Sequence, residues 1–396
     1  MKRRDLLKTS LLTLGASSLA LSACNKEVAQ SDELEIIPKQ TATYEFSCPL
    51  PFNYKTIDEI LELNSTLKKS QVVSMYNNTP KPLADRFNNW IQMVRGYNYN
   101  IKTYDDFGKY VKYAIDNGFK IHYLMNSPKG FSNEEYEKYL KNEFLFLLDY
   151  LYKIGVRDIK VASANVASLI NEATNNAFNL AVSTTFELHN LPQYNHLFQN
   201  YPNFNFIDIS KDENQNFKFL KALRTAYPDK KIELMATEFC MKGCPARTSH
   251  HCDMYSNRFN CGKIYAEIGD FHQFYISGAI NPWDLEYYSA IGVNNFKYVN
   301  HDPELHRANF NDISKFKKYL ELVEYGIDDV TIDDYFNKIF NKKILITNNC
   351  KLSELLPYMP DIKHFIAHGH ECALKCGVEC NYCELCAKRT ENFLFG

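Results

Sequence analysis

From Thr43 onward the chain alternates short apolar runs with longer stretches of helical period, the pattern of repeated βα units. Eight runs read as strands: Tyr44–Leu50, Gln71–Tyr76, Phe119–Met125, Asp158–Ser163, Phe178–Thr184, Phe204–Ile209, Lys231–Ala236 and Asn295–Val299. Helical periodicity marks Thr56–Lys68, Tyr104–Asn117, Asn133–Ile154, Asn216–Ala226 and Trp283–Gly292. Eight such repeats over roughly 260 residues predict an α/β fold of the (β/α)8 TIM-barrel class. A doubly wound sheet is the rival, but it would place a glycine-rich phosphate loop after its first strand, and none stands there. The barrel is expected over residues 43–330, with a small cysteine-rich C-terminal extension over 331–396. In such a barrel chemistry belongs to the loops after the C-terminal strand ends.

The N-terminal segment does not continue this pattern. Lys2, Arg3 and Arg4 precede an apolar stretch from Leu11 to Ala23, which is short for a membrane span of about 20 residues and suits a signal-peptide core. Arg3-Arg4-Asp5-Leu6-Leu7-Lys8 resembles a twin-arginine export signal, and Leu21-Ser22-Ala23-Cys24 resembles a bacterial lipobox. The expectation is a signal peptide over 1–23, removed on export through the twin-arginine translocation machinery. Cys24 would then be the lipidated residue that anchors the protein to the membrane on the periplasmic side, with residues 24–42 as a flexible tether.

Composition changes the picture in two places. The 396 residues carry 45 basic and 47 acidic side chains, a net charge of −2 that argues against a general nucleic-acid binder. Removing residues 1–23 takes four basic and one acidic residue, leaving 41 against 46 and a net charge of −5. The 12 cysteines are many for this length, and nine of them fall into two groups. Cys240, Cys244, Cys252 and Cys261 follow the seventh strand, among them His250 and His251. Cys372, Cys376, Cys380, Cys383 and Cys386 close the chain, beside His370. Spacings this close let several thiolates converge on one metal or iron–sulfur centre, and they are irregular for a zinc ribbon. Disulfides are the competing reading for an exported chain. Cys48 and Cys350 stand apart as small buried core residues.

The predicted strand ends are polar and titratable. Asn126, His189, Glu238, Arg247 and His250 are the candidate catalytic set, placed to hold a small-molecule substrate or to act as general acid or base. Arg247 suits a carboxylate or phosphate because its planar fork binds two oxygens, and it serves equally as a counter-charge for cluster thiolates.

The run Thr237-Glu238-Phe239-Cys240 through Cys244-Pro245-Ala246-Arg247 and His250 is similar to the central motif of peptidase family U-thirty-two, the collagenase-like group. Ile280-Asn281-Pro282-Trp283-Asp284-Leu285-Glu286-Tyr287-Tyr288, Ile291 through Lys297 and Cys380-Asn381-Tyr382-Cys383-Glu384 resemble further segments of that group. Tyr123-Leu124-Met125-Asn126 and Glu187-Leu188-His189-Asn190 fit its barrel pattern. The resemblance spans Tyr44 to Lys388. It implies a barrel carrying a [4Fe-4S] cluster on cysteines, in a group where several members are oxygen-independent hydroxylases of ubiquinone precursors or RNA and others carry a peptidase label. Carried over, it makes Cys240 and Cys244 the first ligands, Cys252 or Cys261 the third, with a tail cysteine such as Cys383 closing the set. Tyr298-Val299-Asn300-His301 departs from the group's basic, glycine-containing end of the last strand, and the export signal is a second departure. The expectation is therefore an exported iron–sulfur enzyme of redox or hydroxylase type. The alternatives are a non-enzymatic lipoprotein with zinc or a structural cluster, and a peptidase, although no protease constellation is visible.

Overall fold

Eight parallel strands pair in chain order, and the eighth returns to the first to close a barrel. The structure is a computed structural model that describes residues 36, 43–79, 83, 100–129, 131–238, 240, 242–252, 270–299, 310, 312–340 and 350–396. The expected signal peptide, the lipidation site Cys24, nearly all of the tether and Cys261 lie outside the described residues, as do the side chains of His250 and Cys252. The strands are β1 (Tyr44–Pro49), β2 (Ser70–Asn77), β3 (Lys120–Met125), β4 (Asp158–Val161), β5 (Asn179–Val182), β6 (Phe204–Asp208), β7 (Lys231–Met235) and β8 (Asn295–Lys297). Each lies within two residues of its expected bounds, and together they are the TIM barrel that the sequence predicts.

The helices between them are α1 (Tyr54–Thr66), α2 (Tyr104–Asp116), α3 (Lys141–Lys153), α4 (Ala164–Thr174), α5 (Leu191–Asn200) and α6 (Phe217–Ala226). After β7 come α7 (Arg247–Cys252), α8 (Phe271–Ile276) and α9 (Leu285–Ala290); after β8 come α10 (Ser314–Tyr325), α11 (Ile362–His368) and α12 (Tyr382–Phe395). Their starts are capped as the sequence allows. The Thr103 hydroxyl accepts from the Asp106 N–H while Asp106 accepts from the Thr103 N–H, and Asn190 and Gln193 make the same reciprocal box at α5. The helix expected over Asn133–Ile154 is interrupted by a π-helical turn at Tyr136–Leu140. Among the described residues no helix is long and apolar enough to cross a membrane.

Outward-facing strand residues pack on the helices, as Phe46 does on Phe316 and Tyr319 of α10. The inward face is charged. Lys160 of β4 lies 2.6 Å from Asp208 of β6 and 2.6 Å from Glu233 of β7, and Lys297 of β8 reaches Asp208 at 3.0 Å. All four are buried. Barrel interiors are usually filled with branched apolar side chains. Here two cations balance two carboxylates, and the Lys160 and Lys297 ammonium groups also sit over the Phe206 and Tyr76 rings. Burial opposes the charge on Asp208, but Lys160 and Lys297 hold its carboxyl well below the usual range.

The cysteine-rich tail folds back onto the barrel, and residues Ile36–Gly396 form one compact unit. Helix α12 docks on α8, where the Tyr275 and Thr390 hydroxyls are hydrogen-bonded at 2.6 Å with both side chains buried, and Phe271 packs on Phe395. Helix α11 lies against α6. At its end Gly369 sits so close to the β6 loop that a Cβ there would stand 1.8 Å from the Gln215 carbonyl oxygen.

Candidate functional site

The loops after β5, β6 and β7 meet on the C-terminal face of the barrel in a network of charged side chains. Arg247, at the start of α7, binds Asp212 with both ends of its fork, Nη1 at 2.6 Å and Nη2 at 2.7 Å. Nη1 also lies 3.3 Å from Glu187, whose carboxylate accepts a hydrogen bond from Ser210 Oγ at 2.9 Å. His189 stands 3.1 Å from Glu213 and 3.5 Å from Glu187. Glu187 adopts φ +53°, in the left-handed region that a non-glycine residue enters at a cost, so the network holds its backbone in place.

The electrostatics follow from these contacts. The carboxylates of Glu187 and Glu213 raise His189 to about 9, against the smaller opposing effect of burial, so its imidazole is charged at neutral pH. Burial pushes Glu187 up, but the bond to His189 and the charge of Arg247 outweigh it and bring it down to about 2. Burial pulls against the charge on Arg247 and Asp212 restores it, leaving a guanidinium that stays protonated throughout. Its fork is therefore occupied by carboxylates of the protein, where the sequence suggests an opening for a substrate anion. Cys240 lies within electrostatic reach of this guanidinium.

The other candidate catalytic residues fall around the same face. Asn126, just past β3, is buried; its Nδ2 points at Ser183 Oγ at 3.5 Å, and its backbone carbonyl accepts from Thr185 Oγ1 at 2.9 Å. Asn126 Oδ1 and, deeper in the barrel, His122 Nδ1 and Ser47 Oγ are buried polar atoms that find no hydrogen-bond partner among the described residues. Such orphans collect where a ligand or ordered water completes the bonding. Glu238 is buried three residues beyond β7.

The cysteines separate differently from the carried-over ligand set. Cys372, Cys376, Cys380 and Cys383 line one small pocket over the barrel face, together with Lys242 from the β7 loop, Gln215 from the β6 loop and His272 from α8. Cys240 and Cys244 do not line it; the β7 loop meets the tail through Lys242. Cys386 is buried one helical turn beyond Cys383, where Tyr382 is its hydrogen-bond partner. The local fold gathers the four thiols: Cys376 N–H bonds to the Cys372 carbonyl, and the backbones of Cys376 and Cys380 pair in an isolated parallel β-bridge, with the Gly377 N–H on the Cys380 carbonyl. Burial, then the neighbouring thiols, push Cys383 up strongly. Cys372 is raised by burial and partly pulled back by the Lys242 ammonium. All nine described cysteines whose side chains are placed are free thiols, with Cys48 buried as expected and Cys350 only half-buried. Among the described residues no three His, Cys, Asp or Glu side chains are grouped tightly enough to hold a single metal ion.

Sequence reasoning missed Glu187, Asp212 and Glu213 as members of the network, although all three lie in strand-end loops where acidic residues stand out. It also missed the charged barrel interior. Its signal was present as Lys160, Asp208, Glu233 and Lys297, each a charge with an apolar or aromatic neighbour on both sides.

No protein-family model matches the chain, and no curated protein matches it. Among solved structures, the U32 peptidase Mk0906 aligns with a TM-score of 0.42 at 13% identity, over 68% of this chain and 97% of its own. An L-ribulose 3-epimerase aligns with a TM-score of 0.36 at 12% identity, over 90% of this chain and 99% of its own. An oxaloacetate acetylhydrolase in complex with oxalate aligns with a TM-score of 0.36 at 9% identity, over 75% and 89%. Scores and identities this low carry no statement about function, and the barrel rests on its own strand order.

Proposed function

We propose that this chain is an iron–sulfur protein, a (β/α)8 barrel whose tail carries a [4Fe-4S] cluster over the C-terminal face, with a redox or oxygen-independent hydroxylase-type activity at the barrel mouth. The observation that carries the reading is the convergence of Cys372, Cys376, Cys380 and Cys383 on one pocket. Four thiolates are the donor set of a [4Fe-4S] centre, and cysteines separated by two or three residues suit it. The walls fit as well: Ile276 and Phe365 are apolar, and Lys242 offsets thiolate charge. When bound, such a cluster supplies one-electron chemistry.

The chain's own residues would do the rest. The network of Arg247, Asp212, Glu187 and His189 fixes the β5, β6 and β7 loops, and the charged imidazole of His189 is placed to donate a proton at the rim. Asn126, buried with an unsatisfied oxygen, would orient a small-molecule substrate. Export by the twin-arginine route and anchoring through Cys24 belong to the same proposal, since that route carries folded proteins with cofactors already inserted.

Anaerobic purification followed by an absorbance spectrum and iron and sulfide analysis tests the reading. A brown protein with equimolar iron and acid-labile sulfide is expected. A colourless protein containing zinc would favour the non-enzymatic metal-binding alternative instead.

A further inference from the structure

A second, small cavity lies beside the cysteine pocket and shares Gln215 and Phe365 with it. It is bounded on one side by the segment from α8 to α9 and on the other by the tail around Met359–Phe365. It is small, so an occupant must be compact. Most of its wall is aromatic or aliphatic, including Phe274, Tyr275, Tyr288 and Phe365, and into this wall is set one carboxyl, that of Asp284.

Asp284 is 7% exposed. Its one side-chain hydrogen bond among the described residues comes from Asn281 Nδ2 at 2.7 Å, and Asn281 is itself fixed because its Oδ1 accepts from Tyr335 Oη at 2.6 Å. No lysine, arginine or histidine among the described residues answers its charge. The charges that act on it are Asp361, from the tail, and Glu286, in the first turn of α9, both negative. The other titratable groups facing it are the phenols of Tyr287, Tyr288, Tyr319 and Tyr335. A buried acid without a counter-ion costs stability unless something else uses it. An aromatic wall combined with a carboxyl is the chemistry that recognises an organic cation, since ring faces and carboxylate both attract positive charge while the rings also cover alkyl groups.

We infer that this cavity is a binding site for a small organic ammonium ion, whose charge meets Asp284 and whose alkyl groups pack on Phe274, Tyr275, Tyr288 and Phe365. The site goes beyond the cluster reading and does not depend on it. Burial raises the Asp284 carboxyl to about 7, so the empty site holds a proton near neutrality and a bound cation displaces it.

Calorimetric titration of the full chain with methylammonium, with choline, and with the neutral carbon isostere of choline tests this. At least one of the two cations should bind, and the isostere should bind at least about tenfold more weakly than choline if choline is the one bound. The affinity of the bound cation should fall roughly tenfold between about pH 8 and pH 6. Asp284→Asn, which keeps the hydrogen-bonding shape, should abolish both the cation affinity and the pH slope while leaving the unfolding midpoint at neutral pH nearly unchanged. No heat with either cation at millimolar concentration would overturn the proposal. Equal binding of choline and its isostere, or full affinity in the variant, would do the same. The comparison of charged and neutral probes on the unmodified chain needs no variant to fold.

Discussion

Gly369 at the end of α11 faces the Gln215 carbonyl so closely that a Cβ would stand 1.8 Å from its oxygen. This contact, with the buried Tyr275–Thr390 hydrogen bond, seats the cysteine tail on the barrel. Gly369→Ala should therefore cost about 1–3 kcal/mol or more in denaturant unfolding, because neither the carbonyl nor the helix end can give way by so much. Limited proteolysis should show the tail released first. An unchanged midpoint would mean that the tail is not held there.

The barrel interior makes a separate prediction. Lys160 lies between Asp208 and Glu233 at 2.6 Å from each, with all three side chains buried. Lys160→Met leaves two carboxylates to share the remaining cation, Lys297, and should destabilise the fold by about 3–5 kcal/mol in urea unfolding. Adding Glu233→Gln to that variant should recover a large part of the loss, since it removes the uncompensated charge.

The eight strands were legible because each is a short apolar run bounded by polar residues. The helices were less so. Ala164–Thr174 has only Val166, Ala167 and Ile170 on its buried face, too thin a stripe to mark a helix. Leu191–Asn200 carries a readable start in Asn190, Pro192 and Gln193. The interior ion network could not be read from one strand at a time, since Lys160 and Glu233 meet only once β4 and β7 face each other across the barrel. The sequence pointed to both cysteine groups but not to their separation. That depends on how the tail docks, and docking brings Lys242, not Cys240 or Cys244, to the four thiols.

The rim network sets a pH dependence. His189 is raised to about 9 from an ordinary 6.5, so its contribution is full below 6.5 and is lost as pH rises through 9. Glu187 is lowered to about 2 from an ordinary 4.5, so its contribution is full above 4.5 and is lost as pH falls towards 2. The network is thus intact between about pH 4.5 and 6.5 and weakens on both sides. Glu187→Gln should lower the His189 titration, followed by NMR of the ring, while Glu213 keeps it above the ordinary value. No movement would place the source of the shift elsewhere.

Arg247→Lys addresses the same loops by geometry. Lysine keeps the charge but cannot span both Asp212 oxygens, so the β7 loop should lose about 1–3 kcal/mol of local stability. Faster amide hydrogen exchange across residues 242–252, with the barrel strands unaffected, is the expected sign.

The central claim, a cluster held by the tail, is tested most directly by visible absorbance and iron content of anaerobically prepared cysteine-to-serine variants. Cys372→Ser, Cys376→Ser, Cys380→Ser and Cys383→Ser should each lose colour and iron, while Cys240→Ser and Cys244→Ser keep both. Loss of colour in the Cys240 and Cys244 variants, with the tail variants unchanged, would contradict the account and place the centre at the β7 loop.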